Sequence, residues 1–376
     1  MKFRDLGAQY ERLKPEIDAG IAQVVQSGAF ILGSQVGELE QKLAAYVGRR
    51  YCVSCANGTD ALQLMLMAWG VGAGDAVFTS DFTYFASAGT ASILGATPVL
   101  VDIDRRTFNI DPDALESAIR KTLAEGKLTP RAIVPVDLFG LPADYPRIEA
   151  IAKRYGLKIL EDGAQGFGGR IGSRRVCAFG DAATTSFFPA KPLGCYGDGG
   201  AIFTDDAETD KLLRSLRAQG RSPEDKYDNR LIGINSRLDT LQAAVLLPKL
   251  KALEAYELEG VNRVAAWYTD ALRDVVETPV VPEGYFSSWA QYTVLLPDGV
   301  DRAALQARLR EKEIPTMIYY PRGLHQQTAY RDMALDDAAF PNTVYATKHV
   351  LSLPMHPYMS REEALFVASS LADCLA

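Results

Sequence analysis

The stretch Ile159-Leu160-Glu161-Asp162-Gly163-Ala164-Gln165 places a short apolar run directly before two acidic residues and a glycine. A short apolar run that ends in polar residues is typical of a buried strand in a parallel sheet. We therefore expect the carboxylate of Asp162 at the carboxyl edge of a sheet. An isolated aspartate there would usually be a solvated loop acid, so the surrounding segments decide its role.

Short apolar runs alternate with helical patterns on both sides of this stretch, from about residue 51 to residue 204. This alternation predicts an α/β fold with a mainly parallel sheet that helices cover on both faces. Ligands of such sheets bind outside the carboxyl ends of the strands. The candidate strands are Tyr51–Ala56, Val77–Thr79, Pro98–Asp102, Ala132–Val136, Leu157–Glu161 and Thr184–Phe188, and the candidate helices are Ala61–Trp69, Asp113–Leu123 and Tyr145–Tyr155.

A long helical stretch from about Leu238 to Arg273 leads out of the sheet, and a different pattern follows it. Strands are predicted at Trp289–Leu296 and Thr316–Tyr319, and helices at Arg302–Glu311 and Arg361–Ala372. We therefore predict a large α/β domain over residues 1–255 and a smaller α+β domain over residues 256–376.

Composition excludes several classes of protein. The 376 residues carry a formal net charge of −7, so no basic surplus exists for nucleic-acid binding. The N-terminus lacks the continuous apolar core of a secretory signal, and no apolar run reaches the ~18 residues that span a bilayer. Cys52 and Cys55 lack a second pair or a nearby histidine, so we expect reduced thiols, no metal site and a cytoplasmic location.

A second strand end carries a hydroxyl and a lysine, in Thr184-Thr185-Ser186-Phe187-Phe188-Pro189-Ala190-Lys191. Glycines follow at 194, 197, 199 and 200, which let the backbone turn tightly and approach a ligand. A lysine among glycines and aromatic residues is poorly placed to be a mere surface charge. Pyridoxal phosphate needs a lysine for covalent attachment and an acid against its pyridine nitrogen. Lys191 and Asp162 fit these two roles.

A candidate phosphate site lies where Asn57-Gly58-Thr59-Asp60 follows a strand and opens a helix. Free N–H groups at a helix start attract an anion, and Gly58 allows close approach. Taken alone, this segment would be an ordinary helix cap. Ser186 adds a hydroxyl from a separate strand end. Tyr84 could stack on the cofactor ring, although for this residue alone core packing is the preferred interpretation.

Together these segments resemble the DegT/StrS family of sugar aminotransferases, a branch of the fold-type I pyridoxal-phosphate enzymes, which are built like aspartate aminotransferase. The resemblance covers nearly the whole chain, from about Phe3 to His356, and implies a seven-stranded, mainly parallel sheet. Its marks are Asn57-Gly58-Thr59, Glu161-Asp162 with Gln165, Ser186 with Lys191, Gly197-Asp198-Gly199-Gly200, and Asn235-Ser236-Arg237-Leu238-Asp239.

The resemblance implies a role for each site residue. Lys191 attaches the cofactor, Asp162 contacts the pyridine nitrogen and Gln165 lies near the ring hydroxyl. The residues implied for the phosphate are Gly58, Thr59 and Ser186, with Tyr84 against the ring. Asn235 and Arg237 match positions that reach into the active site of a neighbouring subunit, which implies a homodimer with shared sites.

Other activities are known on the same fold. Sugar dehydratases of this family carry histidine where this chain has Lys191. Asp162 and Lys191 alone do not separate an aminotransferase from a decarboxylase or an aldolase, but the marks of the sugar enzymes continue through Asn235 and Tyr320. A cofactor-binding regulator would need a DNA-binding module or a basic tail, and the sequence contains neither.

The motif runs look most like those of family members that aminate UDP-2-acetamido-2-deoxy-3-oxo-glucuronate for bacterial surface polysaccharides, with L-glutamate as the habitual amino donor. The chain departs from them at Tyr319-Tyr320-Pro321-Arg322, where a histidine is expected at 319 and no arginine at 322. A Tyr-Tyr-Pro run is common in relatives that use other keto-sugars, such as dTDP-linked 3-keto- or 4-keto-6-deoxyhexoses. Arg322 could instead pair with a sugar carboxylate or a diphosphate. We expect Arg237, Tyr319 and Tyr320 near the substrate, with Arg322 a candidate.

Overall fold

The computed structural model describes residues 1–222, 224–225 and 227–375. The described α-helices are α1 (Leu6–Ser27), α2 (Ser34–Val47), α3 (Gly58–Ala68), α4 (Ala86–Ile93), α5 (Pro112–Glu125), α6 (Tyr145–Tyr155), α7 (Ala207–Leu216), α8 (Thr240–Ala252), α9 (Leu258–Leu272), α10 (Arg302–Glu311), α11 (Pro341–His349) and α12 (Arg361–Leu375). The described strands are β1 (Tyr51–Cys55), β2 (Asp75–Ser80), β3 (Thr97–Val101), β4 (Thr129–Val134), β5 (Lys158–Asp162), β6 (Arg170–Ile171), β7 (Arg174–Arg175), β8 (Ala182–Ser186), β9 (Gly200–Thr204), β10 (Tyr285–Phe286), β11 (Tyr292–Leu295) and β12 (Val350–Leu353).

Seven of these strands form the main sheet, in the order β1-β9-β8-β5-β4-β2-β3. The strands from β8 to β3 run parallel, whereas β9 is antiparallel to both of its neighbours. The predicted mainly parallel, seven-stranded sheet is confirmed. Because β9 reverses direction between them, β1 and β8 point the same way. The carboxyl ends of β1, β8 and β5 therefore lie at one edge of the sheet.

Helices cover both faces of this sheet, as predicted. Successive side chains of a strand point to opposite faces. In β5, Leu160 is buried in a cluster with Leu64 of α3, whereas Ile159 is buried with Leu115 of α5 and Ile148 of α6. The strand thus contributes to two cores and reads as a continuous apolar run, which is the pattern that predicted it.

A separate hydrophobic cluster is built entirely from residues between Val261 and Cys374, around the pair β11–β12 and helices α9, α10 and α12. The long stretch predicted from Leu238 to Arg273 contains α8, a π-helical turn at Leu253–Glu257, and α9. The boundary placed after residue 255 falls within this turn. The division into two domains stays a prediction, and Ala376, its predicted end, lies outside the described residues.

The predicted strand Thr316–Tyr319 is wrong. Only Met317 pairs there, in an isolated antiparallel bridge to Ser352. The side chain and carbonyl of Thr316 accept hydrogen bonds from Gln306 of α10 instead, at 3.1 Å each, so the segment is held by a helix rather than by a ladder.

The five cysteines are unpaired and buried. Burial raises the pKa values of Cys52 and Cys177. It also raises the pKa of Cys55 to about 12 and that of Cys195 to about 11. The prediction of reduced structural thiols agrees with this arrangement. Within the described part of the chain, no helix is both long and apolar enough to cross a bilayer.

Candidate active site

The loop after β1 forms one side of the site. Asn57 caps α3, since its Oδ1 accepts a hydrogen bond from the N–H of Asp60 at 2.8 Å. Gly58 and Thr59 begin the helix, so their N–H groups have no carbonyl one turn earlier to bond to. A helix start with free N–H groups suits an anion such as a phosphate.

This loop lies directly against the end of β8. A Cβ atom placed on Gly58 would come within 2.7 Å of the Ser186 Cβ, and one on Gly200 within 2.4 Å of the Asn57 carbonyl oxygen. Only glycine fits at either position. The two glycines therefore bring the α3 N-terminus beside the Ser186 hydroxyl, as the predicted phosphate site requires.

Asp162 lies at the end of β5, as expected, and is buried. Ser87 Oγ donates to its Oδ2 at 2.8 Å, and the N–H of Ala164 donates to its Oδ1 at 3.2 Å. Burial raises the pKa of Asp162, while these two hydrogen bonds and the nearby Lys191 act in the opposite direction. The carboxylate is thus fixed in orientation and would gain from a further cationic partner.

Lys191 lies in a turn after β8, where its N–H donates to the carbonyl of Phe188 at 2.8 Å. The pKa of Lys191 is lowered to about 8, because burial lowers it more than the carboxylate of Asp162 raises it, and the cation of Arg4 acts in the same direction as burial. The neutral amine, which is the form that attacks a carbonyl or accepts a proton, is therefore far more populated near physiological pH than in an ordinary lysine.

Gln165 and Tyr320 close the site above the sheet. Gln165 is buried, and its Nε2 donates to Tyr320 Oη at 2.9 Å while its Oε1 accepts from the Phe139 N–H at 2.9 Å. Burial raises the pKa of Tyr320, and the neighbouring Asp162 and Tyr84 act in the same direction. Tyr84 is 60% exposed, so core packing, the preferred interpretation of this residue alone, is wrong.

Tyr319 packs edge-on against Phe3, with 6.3 Å between the ring centroids, and against Tyr320, at 5.9 Å. Arg322 is exposed on the next turn of the chain. The hydrogen bond between Tyr320 and Gln165 therefore places the start of the Tyr319–Arg322 segment beside Gln165.

Among the described residues, neither Asn235 nor Arg237 makes a hydrogen bond to Lys191 of the same chain. Arg237 Nη2 donates to Asn235 Oδ1 at 2.8 Å, at the protein surface. Asn235 pairs with Ala218, and the intervening Ser236 accepts from the N–H of Ala56 at 3.0 Å. The segment is therefore fixed beside the end of β1 and presents its two polar side chains outward.

Sequence reasoning missed Ser87, which orients Asp162, and Arg4, whose Nη2 donates to the Lys191 carbonyl at 2.9 Å. Ser87 lies in the first turn of α4, a helix that was not among those predicted, so its contact with Asp162 was not expected. Arg4 is 187 residues away from its partner, and no local pattern signals the contact.

The residues brought together fit pyridoxal 5′-phosphate. They offer helix N–H groups and a hydroxyl for a phosphate, a buried carboxylate for a protonated ring nitrogen, and a lysine with a lowered pKa. A parallel sheet with this set at its carboxyl edge defines a fold-type I pyridoxal-phosphate enzyme.

Comparison with known proteins gives the family. Residues 11–372 match the DegT/DnrJ/EryC1/StrS aminotransferase family. UDP-2-acetamido-2-deoxy-3-oxo-D-glucuronate aminotransferase of Pseudomonas aeruginosa is 46% identical over 99% of this chain and 100% of its own. A DegT/DnrJ/EryC1/StrS aminotransferase structure from Brucella abortus is 49% identical, with a TM-score of 0.95, and covers 99% of this chain and 98% of its own. A Bacillus subtilis structure, NtdA with bound cofactor PMP, is 30% identical, with a TM-score of 0.85, over 96% of this chain and 81% of its own.

The chain belongs to the DegT/DnrJ/EryC1/StrS aminotransferase family. It is a pyridoxal-phosphate-dependent aminotransferase, and the predicted family, fold class, enzyme class and cofactor are confirmed.

Proposed function

We propose that this aminotransferase aminates a UDP-linked 3-keto N-acetylated sugar of the 3-oxo-glucuronate type, with L-glutamate as amino donor. The similarity to the Pseudomonas aeruginosa enzyme over 99% of the chain carries this proposal. Such a product would enter a bacterial surface polysaccharide, and the synthesis would take place in the cytoplasm.

The residues divide into a cofactor set and a substrate set. Lys191 attaches the cofactor, Asp162 bonds the pyridine nitrogen, and Gln165 lies beside the ring hydroxyl. Gly58, Thr59 and Ser186 hold the phosphate, Tyr84 covers the ring, and Asn235 of the neighbouring subunit completes this set. Arg237, Tyr319, Tyr320 and Arg322 contact the nucleotide sugar.

Pyridoxal phosphate supplies an electron sink for the pair released when the Cα–H bond of the amino donor breaks. The protein moves the proton. With the cofactor bound, Lys191 would take up the donor's Cα proton at Nζ and would release it again, and its lowered pKa suits both transfers. Asp162, oriented by Ser87, keeps a proton on the ring nitrogen.

A homodimer with shared active sites is part of the proposal. Exposed apolar side chains surround the outward-facing Asn235–Arg237 segment: Phe30, Ile31, Leu32, Leu231 and Ile232, of which Ile232 is 90% exposed. Ile31 pairs with Asp239, which joins Phe30–Leu32 to this segment, and Leu231 and Ile232 precede the segment in the chain. A contiguous apolar patch rimmed by polar residues is typical of an interface between subunits.

The test compares kcat/KM for three keto-sugars with glutamate as donor. We expect the UDP-linked 3-keto uronate to exceed its neutral 6-hydroxyl counterpart by at least about tenfold, because a charge-assisted hydrogen bond to a carboxylate contributes about 1.5–3 kcal/mol. Arg322→Gln should remove this preference and leave the neutral sugar unaffected. Equal values for the two UDP sugars would contradict the carboxylate assignment.

The third sugar, a dTDP-linked 4-keto-6-deoxyhexose, tests the alternative that Tyr319-Tyr320-Pro321 favours. Faster amination of this sugar would overturn the 3-keto assignment. Release of 2-oxoglutarate from glutamate, with a change in cofactor absorbance, tests the amino donor independently of the sugar.

A further inference from the structure

The segment before α1 forms part of the active-site wall. The N–H of Met355 donates to the carbonyl of Phe3 at 3.0 Å, and Phe3 packs against Tyr319. The next residue, Arg4, reaches the opposite side of the site and donates to the carbonyl of Lys191. The N-terminus thus connects the proposed substrate contacts to the proposed cofactor lysine.

We propose that Arg4 is a positioning residue for Lys191, because its guanidinium holds the main chain from which the lysine side chain starts. The inference rests on the proposed function, in which Lys191 attaches the cofactor. The other end of the same turn is held in a similar way: Lys249, a buried lysine of α8, donates from Nζ to the carbonyl of Gly194 at 2.6 Å. Two cations from distant parts of the chain therefore fix the loop from residue 191 to residue 194.

The guanidinium is also a permanent charge close to the lysine amine. Burial lowers the pKa of Arg4, while Glu257 and Tyr358 favour its charged form, so it stays protonated throughout the physiological range. Glu257 is buried in the π-helical turn and accepts from Gln9 Nε2 at 2.8 Å and from the Tyr358 hydroxyl.

Two charged groups act on the Lys191 amine. Asp162 of β5 favours its protonated form, and Arg4 opposes this. Lys249 and Glu257 interact electrostatically with each other, and Arg4 interacts with both. Neither is among the causes of the lowered pKa of Lys191. Arg4 is thus the cation that balances Asp162, and its removal should favour the protonated nitrogen of Lys191.

The test is a pH titration of the absorbance of the bound cofactor in the holoenzyme. In Arg4→Gln the amide can still donate to the Lys191 carbonyl but carries no charge. We expect its absorbance midpoint to move up by about half a pH unit to one unit, because a nearby cation disfavours the protonated form. Arg4→Lys, which keeps the charge, should return the midpoint towards that of the wild type.

A matched control is Arg12→Gln, which removes the same charge from an exposed side chain of α1 that lies over the Tyr256 ring. Its midpoint should equal that of the wild type. Glu257→Gln removes an anion that acts on Arg4 and is not among the causes of the lowered Lys191 pKa, so its midpoint should also equal that of the wild type. Arg4→Met, which also removes the charge, tests the same charge balance where Arg4→Gln does not fold.

An unmoved midpoint in a folded Arg4→Gln or Arg4→Met holoenzyme would overturn the inference, as would an equal shift in Arg12→Gln. Borohydride reduction of the wild type separates this outcome from failure of the proposed function. If the reduced cofactor is attached to Lys191 but the midpoint does not move, only the role of Arg4 is contradicted. If the reduced cofactor is attached to another lysine, the proposed function is contradicted, and this inference with it.

Discussion

At the scale of single residues, Asp162 shows how the site is prepared for a charged ring. Burying a carboxylate without a partner is costly, and burial indeed raises its pKa. Ser87 and the Ala164 N–H recover part of this cost and fix both oxygens. A protonated pyridine nitrogen would supply the remaining partner, so this ion pair would contribute to cofactor affinity.

Lys191 and Asp162 should fail in different ways when substituted. Lys191→Ala should fold but lose both turnover and the covalent cofactor adduct formed by borohydride reduction. Asp162→Asn should keep the adduct and lose at least about 100-fold in kcat, because the group that holds the ring proton is gone. Mass spectrometry of reduced holoenzyme and steady-state rates provide the two readouts. An adduct that survives in Lys191→Ala would exclude Lys191 as the attachment point.

The contrast between predicted and missed residues has a physical origin. Asp162, Lys191, Gly58 and Ser186 were predicted because each lies at or after the end of a strand, and parallel strands bring their carboxyl ends to one edge. Arg4 lies in no such pattern. Its contact depends on how α1 packs across α8, and a single sequence does not reveal that packing.

At the scale of elements, the end of β2 holds the segment that carries Tyr319, Tyr320 and Arg322. Asp81 is fully buried, its Oδ1 accepts from the N–H of His325 at 2.8 Å, and its carbonyl accepts from Leu324 at 2.8 Å. The imidazole of His325 bonds Asp81 through Nδ1 at 2.5 Å and Asp337 through Nε2 at 2.9 Å. The large sheet thereby fixes a loop that belongs to the C-terminal part of the chain.

Substitution of Asp81 should loosen this loop. Asp81→Asn leaves His325 without its anionic partner, so we expect a loss of about 1–3 kcal/mol in stability and a raised KM for the sugar. The glutamate half-reaction should be unaffected, since Lys191 and Asp162 do not change. A raised KM for both substrates would instead indicate general damage to the fold.

The stabilisation that the Asp81–His325 pair contributes to the fold should depend on pH. Burial lowers the pKa of His325, but the hydrogen bonds to Asp81 and Asp337 outweigh it, and the pKa is raised overall. The stabilisation is therefore complete below the ordinary histidine pKa of about 6.5 and is lost as the pH rises through the raised value. Denaturant unfolding should show a larger difference between wild type and Asp81→Asn at pH 6 than at pH 9.

Elements with strong end signals were predicted closely. α6 and α10 match their predicted bounds, because Asp144 and Asp301 cap their first turns and Gly156 ends α6 in the left-handed conformation. The predicted strand at 316–319 failed because its four residues lack such signals, and its pairing depends on a partner segment far along the chain. β9 was missed for the same reason, as a short run after a glycine-rich loop.

At the scale of the whole molecule, the proposed dimer makes each active site dependent on two chains. Arg237 and Asn235 are held outward by the pairing of Asn235 with Ala218 and by Ser236. This fixed outward geometry suits delivery to a neighbour, and a single chain would lack these side chains at its own site.

Mixing two inactive variants tests the shared site. Lys191→Ala and Arg237→Ala homodimers should each have little activity. A mixed dimer contains one site with both residues intact, so about a quarter of wild-type activity should return after subunit exchange at equal amounts, half of the dimers being mixed with one of two sites active. Absence of recovery, with heterodimers demonstrated by mass, would place Arg237 in the site of its own chain.

The buried thiols make the molecule well suited to optical measurement. Because burial raises the pKa of four of the five cysteines and shields all five, maleimide reagents at neutral pH will react slowly with the native chain. A cysteine introduced on the exposed face of a helix such as α10 would then take up a fluorophore selectively, without prior replacement of native residues. Donor and acceptor dyes attached in this way would report subunit exchange in real time.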